Sequence, residues 1–323
     1  MSFLSSLSVA PAWLWLAFTA GIVVLLIVDL SLFGRGGHAP SRGKALLESA
    51  IWIALALAFN AWFWSAYGAD LGLEFLTGYL VEKSLSVDNL FVILLIFGSL
   101  RIPAAFQHRV LFYGVLGAII LRAIFILLGA QLLQMFSWIL YIFGAILLIT
   151  AVKFLRDSDE EISPENNWSV RLLQRLIPIT HAQTHGQRFF VVENGHRKAT
   201  QLFVALVVIE ATDLVFAVDS IPAVFAVTQD AFVAYASNIL AILGLRALFF
   251  VLADWVQRLR YLKPGLAAIL GFIGVKMLIV DIFHIPSWVS LLVISGILTT
   301  AALSSWYVAR MEDRRAVKRA SGH

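Results

Sequence analysis

Cysteine is absent from the 323 residues, which excludes disulfides, thiolate metal sites and a cysteine nucleophile. Methionine is scarce, at four, so soft-metal chemistry has little to work with. Charged side chains make up only 14% of the chain, against roughly 25% in an average soluble domain. A chain so poor in charge and 60% hydrophobic carries more apolar surface than a water-soluble core can hide. Lipid is its solvent.

Apolar runs fall at about 12–33, 46–67, 73–100, 109–130, 135–153, 200–228, 232–253, 264–283 and 287–309. Each is near the roughly 20 residues that cross a bilayer as a helix. The expected fold is therefore all-α, a polytopic membrane helix bundle of about nine transmembrane helices in a single transmembrane domain over 1–323. Residues 1–11 hold no Lys or Arg and the first run is span-length, so it is expected to stay as a first helix, not to be cleaved as a signal peptide.

The basic residues give the orientation. Three Lys or Arg lie in 34–44, two in 101–109, seven in 153–198, three in 254–263 and five after Ala309. The remaining four, Lys83, Arg122, Arg246 and Lys276, lie within spans, and the loops around Asp70, Phe136, Asp230 and His284 hold none. By the positive-inside rule the N-terminus is outside and the C-terminal tail cytoplasmic, in the cell inner membrane. The isoelectric point near 9.4 then reflects topology and contact with anionic lipid, and no nucleic-acid partner is expected.

The one long loop, 154–199, carries Asp157, Asp159, Glu160 and Glu161, then WSVRLLQRLIPI, spaced as an amphipathic helix on the membrane surface. In FFVVENGHRK, Asn194-Gly195 reads as a hairpin turn. His181, His185 and His196 match no standard zinc spacing, so the loop reads as a solvated gate or linker.

An internal repeat runs through the rest. VEKSLSVDN places Glu82 six residues before Asp88, and ATDLVFAVDS places Asp213 six before Asp219. Downstream, AIILRAIFILLG aligns with ILGLRALFFVLA, setting Arg122 on Arg246, and AVKFL aligns with GVKML, setting Lys153 on Lys276. The Arg-to-Lys spacing is 31 residues in one unit and 30 in the other. Units of about 73–155 and 200–283 hold three helices each, an odd number, so the second enters the membrane from the opposite side. Such inverted repeats characterise secondary transporters, and the third and sixth helices are expected to meet near the midplane.

Glu82, Asp88, Glu210, Asp213 and Asp219 lie well inside spans, where an ionised side chain costs roughly 2.5–3.5 kcal/mol. Three remedies are open: the intramembrane cations Lys83, Arg122, Arg246 and Lys276 as partners, protonation, or a bound metal ion. Asn89 and Ser220 add oxygen ligands beside these acids. Carboxylate, amide, hydroxyl and carbonyl oxygens without Cys or intramembrane His suit Mg, Ca or Mn. Pro222, which strips the carbonyl of Val218 of its helical partner, is expected to distort the sixth helix and so bring Asp213 and Asp219 to one ion. Asp29, Asn60, Asn238, Asp254 and Asp281 are further polar positions in or at the ends of spans. Gly114 with Gly117, and Gly271 with Gly274, read as close helix contacts.

EKSLSVDN, GAIILRAIFILLGA, IEATDLVFAVDSIPAVFAVT and GVKMLIVD resemble the TerC family, especially its Alx-like branch, along nearly the whole chain. Members are integral membrane proteins associated with tellurium resistance and, in that branch, with manganese export and alkaline stress. The resemblance implies manganese efflux, and it carries the family's acidic residues onto Glu82, Asp88, Glu210, Asp213 and Asp219. Tellurite is an oxyanion, whereas a carboxylate-rich site attracts cations.

The expected function is export of divalent cations, manganese first, through a midplane carboxylate site, with proton coupling as one way to neutralise its acids and with no cofactor and no enzymatic step. The rival is a non-transporting scaffold or assembly factor in metal, tellurite or alkaline stress. An intramembrane aspartyl protease fits the oxygen-rich surroundings of the aspartates poorly.

Overall fold

The computed structural model describes residues 8–33, 42–136, 138–156, 178–180, 186, 188–193, 195–252, 261–283 and 285–320, without the side chains of 30–33, 42, 88, 262, 309 and 312–320. Ten α-helices and one hairpin follow in order: α1 (Ala12–Phe33), α2 (Arg42–Tyr67), α3 (Ala69–Ser99), α4 (Ala104–Met135), α5 (Ile139–Arg156), β1 (Phe190–Glu193), β2 (His196–Ala199), α6 (Gln201–Phe225), α7 (Ala231–Leu243), α8 (Leu245–Leu252), α9 (Leu262–Leu278) and α10 (Ser287–Ala320). The chain is an all-α, multi-pass membrane protein.

Among the described residues six helices are long and apolar enough to cross a membrane, and seven if the bent pair α7–α8 is one span. The expected count of nine needs α3 and α9 as well. α3 falls short because Asp70, Glu74, Glu82, Lys83 and Asp88 interrupt its apolar sequence, and α9 because it has only 17 residues. The single run expected over 232–253 is two helices, bent by 42° at a break where Gly244 follows α7.

α3 lies at the centre, against α2, α6, α7 and α10. α4 lies against α6 and α7, and α5 lies along α9. The last pair approaches closely because Gly144 and Gly274 face each other: a Cβ on Gly144 would stand 3.0 Å from the Gly274 carbonyl oxygen. An aromatic cluster seats α1 and α2 on α7. Phe18 meets Phe232 edge-on at 5.6 Å and Trp15 stacks on Tyr235 at 5.3 Å, geometries that add to simple area burial. Residues such as Ile149 and Leu292 point outward, 69% and 63% exposed, as lipid-facing positions do.

In the long loop, β1 and β2 pair antiparallel, with Glu193 opposite His196. Gly195 takes φ +78°, the left-handed conformation that makes glycine the preferred residue in such turns. His196 is exposed. His181, His185, the acidic stretch and most of WSVRLLQRLIPI lie outside the described residues.

Candidate ion-binding site

Arg122, on α4, is 1% exposed and has its guanidinium between carboxylates from two other helices. Its Nε and Nη2 edge faces Asp213 on α6, with Nη2 donating to Oδ1 at 3.0 Å and Nε to Oδ2 at 3.5 Å. Nη1 donates to Glu82 on α3, to Ser220 Oγ at 3.4 Å and to Asn238 Oδ1 at 3.3 Å. This fork geometry is available to arginine and not to lysine.

The carboxylates are held in turn. Asn238 on α7 donates to Glu82 Oε2 at 2.8 Å, Ser86 Oγ to Glu82 Oε1 at 3.4 Å, and Asn89 Nδ2 to Asp213 Oδ1 at 3.4 Å. Four helices, α3, α4, α6 and α7, thus meet at one polar cluster with two carboxylates and one guanidinium. Its formal charge is one negative, in a setting where an unpaired charge is costly.

Of the residues singled out in the sequence, Glu82, Asn89, Asp213, Ser220 and Arg122 come together here. Asp219 does not. α6 is assigned as α-helix straight through Pro222 to Phe225, so two residues six apart differ in direction by about 120° at 100° per residue. Asp219 accepts instead from Thr150 Oγ1 on α5 at 2.8 Å, with Lys153 near enough to act on it electrostatically. A small cavity shared with Asn89, Arg122, Phe216 and Ser220 joins it to the cluster. Asp88 is on α3, and its side chain lies outside those described.

Glu210 stands apart. Its carboxylate fills the space where a side chain on Gly117 would be, so that glycine, read in the sequence as a helix contact, makes room for an acid. No hydrogen bond or ion pair reaches Glu210 among the described residues.

The other intramembrane cations serve elsewhere. Arg246, on α8, pairs with Asp29 of α1 at 2.8 Å and Glu48 of α2 at 2.5 Å, all three buried. Lys83 donates to the Ala241 carbonyl at 3.1 Å, close to the α7–α8 break, and Lys276 to Ser290 at 3.0 Å. Asn60 is buried with its Oδ1 unpartnered among the described residues, Asp281 accepts from Tyr141, and Asp254 lies outside the description. From the sequence, Asn238 is only a further polar position within a span, and Glu48 does not stand out. The signal for Asn238 was its lone amide in the apolar run AYASNILAIL; Glu48, next to the basic loop, carried none.

Among the described residues no group of three His, Asp or Glu is arranged to hold a metal ion. Arg122 takes the position between Glu82 and Asp213 that such an ion would need.

The description of the TerC family of integral membrane proteins matches residues 67–313. The chain belongs to the TerC family. Within it, an uncharacterised membrane protein of Myxococcus xanthus is 49% identical over 94% of this chain and 95% of its own length. A protein of Escherichia coli K12 provisionally named a membrane-bound redox modulator, Alx, is 47% identical over 95% of this chain and 99% of its own. An uncharacterised membrane protein of Rickettsia bellii is 41% identical over 93% and 99%. No solved structure matches. The TerC match takes in the whole Arg122 cluster, whereas Asp29 and Glu48 precede its first residue.

Proposed function

We propose that this TerC protein is an inner-membrane transporter that exports hard divalent cations, Mn²⁺ first, through the cluster around Glu82 and Asp213. The observation that carries the reading is the excess of buried carboxylate over guanidinium where four helices meet. Intramembrane acids that face a bundle interior commonly mark ion pathways, and oxygen-only ligands favour Mn²⁺, Mg²⁺ or Ca²⁺.

Arg122 then acts as a built-in counter-ion. It offsets one of the two charges of Glu82 and Asp213 when no cation is bound, and an arriving cation must displace it, with Asp88 and Asp219 as further ligands and Glu210 on the cytoplasmic approach. Proton uptake by the same carboxylates would release the ion outward.

The packing supports an inverted repeat of three-helix units. Exchanging α3 with α6, α4 with α7–α8 and α5 with α9 maps the α3–α7 contact onto the α6–α4 contact, while α3–α6, α4–α7 and α5–α9 map onto themselves. Arg122 and Arg246 correspond under that exchange, and each holds two carboxylates. Rocking of one unit on the other would alternate access to the cluster.

The E. coli relative's provisional name speaks of redox modulation. With no cysteine in the chain, thiol–disulfide exchange by this protein's own side chains is excluded. The second reading is a scaffold in which Arg122 simply locks helices together, and its several hydrogen bonds favour it.

Mn²⁺ flux in proteoliposomes separates the two. Purified wild type is expected to move Mn²⁺, with Asp213→Asn, Asp88→Asn and Asp219→Asn reduced to the level of protein-free vesicles and an imposed pH gradient changing the rate. Wild type that moves no divalent cation under any gradient leaves the scaffold.

A further inference from the structure

Away from the cluster, a cavity of about 680 Å³ opens between the start of α3, the end of α4, the α6–α7 turn, the end of α9 and the start of α10. These are the helix ends that the distribution of Lys and Arg assigns to the outer face. At about 30 Å³ per water it has room for on the order of twenty waters, ample for a cation with its hydration shell.

The lining mixes apolar side chains with a polar group of Glu74, Thr228, Asp230 and Lys276. Glu74 accepts from Thr228 Oγ1 at 2.7 Å, and Asp70, Asp230 and Lys276 all act on it electrostatically. Asp230 is already used: it caps α7 through the Phe232 and Val233 amides and ties down Ser8 and Val9. Lys276 is engaged by Ser290. Glu74 and Asp230 line the cavity with Lys276, and Asp70, outside the lining but near Glu74, tips the balance at this end of the bundle towards a field that draws cations.

Below the cavity, buried side chains of α3, α4 and α6 fill the way to the cluster, Phe225 among them. Phe225 lines the cavity yet is only 2% exposed. It lies flush on α4 at Gly129, where a Cβ would come 2.7 Å from Phe225 Cε2 and 3.5 Å from Ile221 Cγ2. Glu74 precedes Glu82 by eight residues on α3, about 12 Å of helix, and Phe225 follows Ser220 by five on α6, about 7.5 Å. The ring therefore sits between cavity and cluster. Tyr79 lies in the same interval of α3, 4% exposed, and its hydroxyl has no hydrogen-bond partner among the described residues. On the other side, a cleft of about 30 Å³ lined by Asn89, Gly114, Thr212 and Asp213 reaches the cluster from the half of the bundle nearer the basic loops.

We propose that the cavity beside Glu74 is the outer mouth of the path for a hydrated divalent cation, and that Phe225 seated against Gly129 is the gate between it and the Arg122 cluster. This rests on the transporter reading, and it describes a conformation closed to the outside.

The absence of native cysteine makes the test direct. Single Thr228→Cys and Ser220→Cys chains are reacted with a charged, membrane-impermeant methanethiosulfonate in right-side-out and inside-out vesicles, without any transported ion. Thr228→Cys is expected to react from outside only, and Ser220→Cys not to react from outside. Adding Phe225→Ala, or Phe225→Leu should the alanine variant not fold, is expected to speed outside labelling of Ser220→Cys severalfold. Thr228→Cys that stays unreactive from outside overturns the mouth. Ser220→Cys labelled from outside at one rate with and without the Phe225 change overturns the gate. Labelling needs no flux, so a failure to move Mn²⁺ would sink the transporter reading while leaving the mouth and gate to be judged on their own.

Discussion

At the scale of single residues, Arg122 decides how the buried acids are tolerated. Replacing it leaves Glu82 and Asp213 facing each other without a counter-charge, and removing one partner of a buried ion pair costs about 3–5 kcal/mol. Arg122→Gln should therefore unfold at markedly lower denaturant in detergent micelles. Adding Glu82→Gln removes one of the orphaned charges and should restore part of the loss; two losses that simply add would mean that the pair is not energetically coupled. Glu210 allows a subtler test. The atoms nearest a methyl on Gly117 are those of the flexible end of Glu210, so Gly117→Ala should cost under about 1 kcal/mol of stability yet displace that carboxylate. Unchanged unfolding with slower Mn²⁺ flux is expected if Glu210 guides the ion's approach, and unchanged flux would remove it from the path. The acids themselves were legible in the sequence, because a carboxylate in an apolar run stands out. Their partners were not: which cation reaches which acid depends on helix rotation and neighbour choice, and so Arg246 turned out to hold Asp29 and Glu48.

Among the secondary-structure elements, α5 and α9 pack closely along their length. Each glycine of the pair Gly144 and Gly274 would put a Cβ within 3.0 Å of the other's carbonyl oxygen, and backbone cannot swing aside as a side chain can. Gly144→Ala and Gly274→Ala should each cost roughly 1–3 kcal/mol, as overpacking does. Since both push the same two helices apart, the double variant should lose less than the sum, a comparison made by unfolding the three variants side by side. Most helix positions were readable from the apolar runs, α1 being a case where run and helix coincide, whereas α10 continues past the run's end at 309 to Ala320 because its last turns are charged. The break at Gly244 was not, because ILAILGLRALFF is apolar on both sides of the glycine and its bend depends on contacts from elsewhere: Lys83 taking the Ala241 carbonyl, and Arg246 tied to α1 and α2. Pro222 invited the opposite error. It drew attention to α6 as the distorted helix, although the helix assignment continues to Phe225.

For the whole molecule, α7–α8 decides how many times the chain crosses the bilayer. Residues 231–252 measure about 33 Å along a helix, enough for a hydrocarbon core of roughly 30 Å even with a bend. A re-entrant loop would return to the face it came from. With α3 and α9 both crossing, a spanning α7–α8 makes nine passages and sets the termini on opposite faces, whereas a re-entrant one makes eight and sets them on the same face. The basic residues argue for nine: 254–263 holds three Lys or Arg while the loop around Asp230 holds none, so the two ends of the pair belong to different sides. The buried ion pairs agree, since Arg246 reaches Asp29 and Glu48, which flank the basic segment 34–44 assigned to the cytoplasm. Reporters active only in the cytoplasm, fused in turn to each terminus, should light up at the C-terminus and stay dark at the N-terminus. Silence at both ends would make α7–α8 re-entrant, reverse the orientation of α9 and α10, and break the inverted repeat on which alternating access depends.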